Sequence, residues 1–454
     1  MERLFRYIDA NKGVFLNELK EFLSIPSISA QSDHNADIRM CAKWIADQMC
    51  SIGMHSVQIF ETSGHPVVYC EWMGAPDSPT VLFYGHYDVQ PVEPLNLWTS
   101  PPFEATIRGK DIYARGSVDD KGQVLIQLKS IEAYMKNFGN LPLNIKMLIE
   151  GEEEIGSVNL KEFLNEHKDL LKADFALISD TSMFKDGIPS VCYGLRGLAL
   201  MEMEVTGPAS DLHSGSFGGS IHNPIQALCE IIAALHDKNG RVTIPGFYED
   251  VLPINDRERE ELKDLPHNDK IFAEELGVKK LYGEKGFSTL ERLWVRPTLE
   301  CNGIWGGYTG EGAKTVLPSK AYAKMSMRLV PNQEPVKMAT LFLEYIKQIA
   351  PGTINLEIRF FAGSESVITS KDSPWIRAVV SALEKGFGSK PVYQREGGSI
   401  PVVAQLKNIL NLDPVLVGFG LPDANAHAPD EHLNLDNFFG GIRTLVYFFN
   451  EFQS

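Results

Sequence analysis

Residues 143–160 read "LNIKMLIEGEEEIGSVNL", an apolar run that passes through one glycine into three consecutive glutamates. The run has the length of a strand, and its apolar weight fits a strand buried on both faces. Three adjacent carboxylates repel one another, and no basic residue follows within the next six positions to relieve them. Acids of this kind often face solvent at a helix start, where they suit the dipole. That reading serves Glu152 about as well as any other, and Glu153 and Glu154 far less well.

The neighbouring texture shows what kind of strand this is. "TVLFYG" (80–85) and "DFALIS" (174–179) are equally compact, and "KGQVLIQLKSIEAYMK" (121–136) between them carries the 3.6-residue period of a helix. Apolar runs alternating with helices predict a mostly parallel sheet flanked by helices, an α/β arrangement. The pattern returns in "PVLVGFG" (414–420), followed by the amphipathic "NLDNFFGGIRTLVYFFNEF" (434–452). Between these parts the periodicity changes. "LALMEMEVTG" (198–207), "AYAKMSMRLVP" (321–331) and "INLEIRFFA" (354–362) alternate strictly, as antiparallel strands with one solvated face do. Helical stripes accompany them at Ile225, Leu228, Ile232 and Leu235, and at Met338, Leu341, Phe342, Tyr345 and Ile349. The charged stretch 249–293 reads as extra helices. The expected organisation is a catalytic domain in two parts, 1–195 and 366–454, with an inserted α+β domain at 196–365.

Whole-chain quantities exclude several classes. A chain of 454 residues is too long for one small core. Its net charge of −16, from 43 basic and 59 acidic residues, argues against a nucleic-acid partner, whose affinity rests on Lys and Arg. No run of about 18 apolar residues could span a membrane, and the first 29 residues read as one amphipathic helix without a signal-peptide core. A cytoplasmic protein with no membrane partner is expected. The six cysteines lack C-x-x-C spacing and sit beside apolar residues, which predicts buried thiols.

Each strand-like run delivers a polar residue at its C-terminal end. "VLFYG" leads to His86 and Asp88, "NIKMLIE" to Glu152–Glu154, "DFALIS" to Asp180 and "PVLVGFG" to Asp423 and His427; Asp119 and Asp120 precede a helix. Open α/β sheets place ligand sites at these ends. One acid after a strand is a turn former; the same bias at five places is hard to obtain from turn chemistry. Histidines with several carboxylates suit borderline divalent ions, and cations relieve the repulsion of an acidic cluster. Paired metals sharing a carboxylate are a hydrolytic arrangement. "GYTGEGAKT" (307–315) lacks P-loop spacing, and neither G-x-S-x-G nor H-E-x-x-H occurs.

Taken together, "YGHYDVQP", "ARGSVDDKG", "EGEEEIGS", "ISD", "DLHSG", "GAKTVLP", "RLVPN", "REGGSIP" and "AHAPDEHL" resemble the dinuclear-zinc peptidases, the family of carnosinase, non-specific dipeptidase, aminoacylase and glutamate carboxypeptidase. The resemblance extends in order from about residue 25 to 434, and it is strongest to the carnosinase and dipeptidase branch. It implies two divalent metal ions, zinc first and manganese or cobalt as alternatives. His86 and Asp180 would bind one, Glu154 and His427 the other, and Asp119 would bridge them beside a cis peptide bond to Asp120. Asp88 would orient His86, and Glu153 would act as general base toward a metal-activated water. An Asp at position 180 fits dipeptidases, where deacylases and carboxypeptidases have Glu. The resemblance further implies a dipeptide substrate and a homodimer with a shared active site. His213 would reach across as oxyanion donor, and Arg328 with Ser399 would hold the substrate carboxylate, in an insert acting as lid and dimer domain. His222 reads as structural or capping. Glu152 receives no role. An N-acyl-amino-acid deacylase, a carboxypeptidase, and a non-catalytic binding protein on this fold are the alternatives.

Overall fold

The apolar run of 143–150 forms a strand, Asn144–Glu150, in which every residue is buried. It lies in a larger sheet that includes β1 (His55–Phe60), β2 (Val67–Trp72), β3 (Thr80–His86), β4 (Asn144–Glu150), β5 (Phe175–Ile178) and β6 (Asp413–Val417), the last of which also pairs antiparallel with Ser190–Leu195. The structure is a computed structural model and describes residues 1–452. The spatial order of these six is β1-β2-β4-β3-β5-β6. β3 runs parallel to both β4 and β5, and β6 parallel to β5; β1 and β2 join antiparallel at one side. The parallel centre follows from sequence, because continuous apolar runs can only be buried when helices cover both faces.

On one face, Val81, Phe83, Ile145, Met147, Phe175 and Val415 pack with the helices Lys121–Phe138 and Leu435–Asn450 through Leu125, Leu128, Ile442 and Phe449. Truncating a ring such as Phe83, which is fully buried, would cost about 3–5 kcal/mol. The amino-terminal segment differs from expectation: it is two helices, Glu2–Ala10 and Lys12–Leu23. Asn11 leaves helical geometry, and its side-chain amide donates to the Tyr7 carbonyl at 2.8 Å, which ends the first helix.

Two compact units make up the chain. The first holds Met1–Tyr193, Thr369–Gln394 and the residues from Pro401 onward; the second holds Gly194–Ile368 and Arg395–Ile400. The second unit contains a four-stranded antiparallel sheet in the order Thr298–Gly306, Lys320–Leu329, Gly197–Thr206, Asn355–Ser364. Burial alternates along Gly197–Thr206, and Met201, Met203, Met325 and Met327 form its core with two helices. Those helices, Pro224–Ala234 and Pro335–Ile349, bury stripes rotated from the expected ones. Ala227, Leu228 and Ile231 are buried while Ile225 and Ile232 are only partly covered, and Ile346 joins Met338 and Phe342 inside. Three short helices, Asp256–Lys263, Asp269–Glu275 and Thr289–Trp294, occupy the charged stretch. The cysteines divide equally, which corrects the expectation of buried thiols: Cys41, Cys70 and Cys192 are buried, whereas Cys50, Cys229 and Cys301 are exposed. Apolar neighbours in sequence do not ensure burial on a helix or edge strand, where adjacent residues point in different directions.

Candidate metal centre

Because β3, β4 and β5 are parallel, their C-terminal ends share one edge of the sheet, and the chemistry-bearing residues emerge there. His86 is the last residue of β3. Glu153 and Glu154 begin a single 3-10 turn, Glu153–Ile155, closed by Gly156 at φ +91°. Asp180 lies two residues beyond β5, and Asp119 lies just ahead of the helix Lys121–Phe138. His427 sits in the loop after β6 with φ +63°, a left-handed conformation that a non-glycine residue adopts at a cost.

These residues form two triads that share Asp119. Ligand-type atoms of His86, Asp119 and Asp180 lie within 4.8 Å of one another, as do those of Asp119, Glu154 and His427. His86 Nε2 is 3.0 Å from Asp119 Oδ1. His427 Nε2 is 2.8 Å from Asp119 Oδ2 and 3.2 Å from Glu154 Oε2. The peptide bond between Asp119 and Asp120 is cis.

Packing acids and imidazoles together shifts the titration of Glu153, Glu154, Asp180, Asp119 and His427. Burial, reinforced by the charges of Glu154, Asp88 and Asp119, pushes Glu153 up to about 8 against an opposing pull from His86. Burial and Asp119 raise Glu154 and hold Asp180 well above the usual carboxylate range. Asp119 goes the other way. Burial opposes its charge, but hydrogen bonds with His427 and His86 hold it well below that range. His427 in turn rises to about 10 through its bonds to Asp119 and Glu154. Glu154 Oε1 is buried without a hydrogen-bond partner, an expensive state for an acceptor. Imidazole nitrogens, an orphaned carboxylate oxygen and carboxyls driven toward protonation by burial and mutual repulsion together fit divalent cations, which would draw the raised carboxyls and His427 back down.

Around the triads lies a set of hydrogen bonds that spacing along the chain did not reveal. Asp88 is fully buried, and its carboxylate accepts the amides of Glu153 at 3.2 Å and Glu154 at 3.0 Å. The His86 Nδ1 nitrogen is closer to the Asp88 carbonyl, at 3.1 Å, than to its carboxylate, at 3.4 Å. Asp88 therefore ties the end of β3 to the glutamate turn besides touching the histidine. Gln90 Nε2 donates to Glu154 Oε2 at 2.7 Å. Glu152 is 4 % exposed and makes well-defined contacts. Its carboxylate accepts the amides of His65 at 2.9 Å and Asn159 at 3.0 Å, and both oxygens take bonds from Asn159 Nδ2. The carboxylate left without a role in the sequence ties the residue just before the turn to Asn159 beyond it and to His65.

The remaining candidates belong to the second unit. Arg328 donates to Ser399 Oγ at 2.9 Å, and that hydroxyl donates to the Arg196 carbonyl at 2.5 Å. Burial lowers Arg328 from the ordinary guanidinium value. His213 is exposed, and its Nδ1 accepts the Gly215 amide at 3.0 Å, capping the short helix Ser214–Phe217. His222 does not cap: the side chain that accepts at the start of Pro224–Ala234 is Asn223, and His222 pairs with Thr353 at 2.7 Å.

A parallel-sheet edge carrying paired His–carboxylate triads with a shared aspartate defines a metal-dependent hydrolase class. Comparison with known proteins narrows this. The family pattern described as "Peptidase family M20/M25/M40" matches residues 82–451, and the chain belongs to that family. It is 32 % identical over 469 aligned positions to the Cys-Gly metallodipeptidase dug1 of Schizosaccharomyces pombe, covering 100 % of this chain and 98 % of the relative. To the human Beta-Ala-His dipeptidase it is 31 % identical, covering 99 % and 92 %. Among solved structures, the M20 family metallo-carboxypeptidase Sso-CP2 from Sulfolobus solfataricus superposes with a TM-score of 0.88 at 35 % identity, covering 97 % and 99 %. No helix among the described residues is long and apolar enough to cross a membrane.

Proposed function

We propose that this chain is a metal-dependent dipeptidase acting on dipeptides with free amino and carboxyl ends. The observation that carries the reading is the pair of triads sharing Asp119, set among carboxyls that repel one another. In this reading His86, Asp119 and Asp180 hold one divalent cation, and Asp119, Glu154 and His427 hold the other, with zinc the first choice for both. Bound cations would supply Lewis acidity, lowering the pKa of water from about 15.7 toward 7 and polarising the scissile carbonyl.

The chain's own groups do the rest. Glu153 takes a proton from the attacking water and returns it to the leaving amine, as base and then acid. Asp88 holds the Glu153 amide and so fixes where that carboxyl stands. Arg328, steadied by Ser399, takes the substrate's C-terminal carboxylate, for which a planar guanidinium is suited. His213 acts as the oxyanion donor of the neighbouring subunit in a cytoplasmic homodimer. The names of two relatives supply the first substrates to try, Cys-Gly and β-alanyl-histidine.

The test is turnover across a panel of those dipeptides, tripeptides and N-acyl amino acids, before and after chelation and with zinc, manganese or cobalt restored. Dipeptides should be preferred, chelation should abolish turnover, and Glu153→Gln should lose about 10²–10⁴-fold while retaining metal. Faster turnover of tripeptides or N-acyl amino acids would favour the carboxypeptidase or deacylase reading instead. An absence of hydrolysis with every metal would point to a binding protein.

A further inference from the structure

We infer that Glu431 is a positioning residue for the shared ligand Asp119 and sets how tightly the metal pair is held. The inference rests on the metal-centre reading above and deepens it. Glu431 is completely buried, and four donors converge on its carboxylate. Arg115 Nη1 at 2.8 Å and the Gly116 amide at 3.0 Å bind Oε2. The Val118 amide at 2.9 Å and the Asp119 amide at 3.1 Å bind Oε1. The loop 115–119 thus wraps around one anion, with Gly116 at φ +83° turning its amide inward. The backbone carbonyl of Glu431 accepts the Ala114 amide at 3.1 Å.

Its place in the chain gives this arrangement a consequence. Glu431 follows His427 by four residues and immediately precedes the strand His432–Asn434, which pairs antiparallel with Asp111–Tyr113. One side chain therefore locks the loop that carries Asp119 to the loop that carries His427, whose side chains meet at 2.8 Å. Glu431 does not reach the reacting atoms. It acts through the Asp119 backbone, fixing the carboxylate that both triads share, and partners of this kind are worth about 10–100-fold in metal affinity.

All four groups facing Glu431 are donors, so an amide at this position must turn its own NH2 toward one of the two pairs. Glu431→Gln should therefore release either the Arg115–Gly116 side or the Val118–Asp119 side. Glu431→Asp keeps the charge opposite Arg115 but is too short to span both pairs. The experiment measures zinc affinity and stoichiometry by chelator competition on the full chain, together with the visible spectrum of the cobalt-loaded protein. Ile376→Ala, at a buried position in the helix Pro374–Phe387, serves as the control for general destabilisation. Glu431→Gln should bind zinc about 10–100-fold more weakly with an altered cobalt spectrum, Glu431→Asp should fall between it and wild type, and Ile376→Ala should match wild type. Wild-type affinity and spectrum in Glu431→Gln would overturn the inference. Should that variant fail to fold, wild-type affinity in Glu431→Asp would overturn it equally. Failure of both to fold would make Glu431 a folding determinant rather than a positioning residue and would also overturn it. Fewer than two zinc ions on the wild-type chain would overturn the metal-centre reading itself, a result separate from the variant comparison.

Discussion

Replacing Glu152 by alanine tests whether the first of the three glutamates is an incidental acid or the clamp of the catalytic turn. The side chain is 4 % exposed, so water cannot readily take its place. Its loss strips an acceptor from the amides of His65 and Asn159 and from the Asn159 side chain. Each buried donor left unmade costs about 1–3 kcal/mol, and two backbone amides set the minimum. A total loss of roughly 2–6 kcal/mol is expected, a fall of a few degrees in Tm at about 1 °C per kcal/mol for a chain of this length. The same loss loosens the turn Glu153–Ile155, which also carries Glu154, so activity and metal affinity should fall with stability although Glu152 lies outside both triads. Differential scanning calorimetry of the metal-free protein, paired with zinc titration, reads both effects. Asn159→Ala, which removes a side-chain donor but keeps the backbone amide, should cost less. A Glu152→Ala protein with Tm within 1 °C of wild type and unchanged zinc affinity would refute the clamp.

Glu150 gives a pH dependence. Burial pushes its carboxyl up to about 7, and its Oε2 has no hydrogen-bond partner, while Oε1 accepts Tyr84 and Ser157. The unfolded chain releases that proton near 4.5, so the folded form binds more protons between about 4.5 and 7. Stability therefore falls as pH rises through that window, by on the order of 2–4 kcal/mol from this group, and levels off above it. Glu150→Gln should flatten that slope in denaturant titrations at pH 5 and pH 7.5; an unchanged slope would place the perturbation elsewhere. Arg328→Ala should raise KM at least 10-fold for dipeptides and leave C-terminal amides unaffected, read from steady-state kinetics on both substrate types. Mixing inactive Glu153→Gln with inactive His213→Ala should restore activity if the site is shared between subunits. No recovery after demonstrated subunit exchange would confine the site to one chain.

Chain-local information carried much of this. Apolar runs of strand length alternating with a helical period determine a parallel sheet, because only such a sheet buries continuous apolar strands. Parallel strands then bring their C-terminal ends to one edge, so His86, Asp88, Glu152–Glu154, Asp180, Asp423 and His427, with Asp119 and Asp120 ahead of a helix, could be grouped before their distances were known, and the family resemblance selected the expected ligands and base among them. The single amino-terminal helix and the helical stripes were less legible, because one Asn side chain or a small rotation decides them without changing the periodicity. The supporting carboxylates were not legible at all. Glu152 meets His65 across 87 residues, and Glu431 meets Asp119 across 312. An acid's sequence neighbours do not say which distant amides will converge on it, whereas burial leaves it no other partners. In "EGEEE" the sequence by itself marked two glutamates for chemistry, and the tertiary structure alone decided that the first holds them in place.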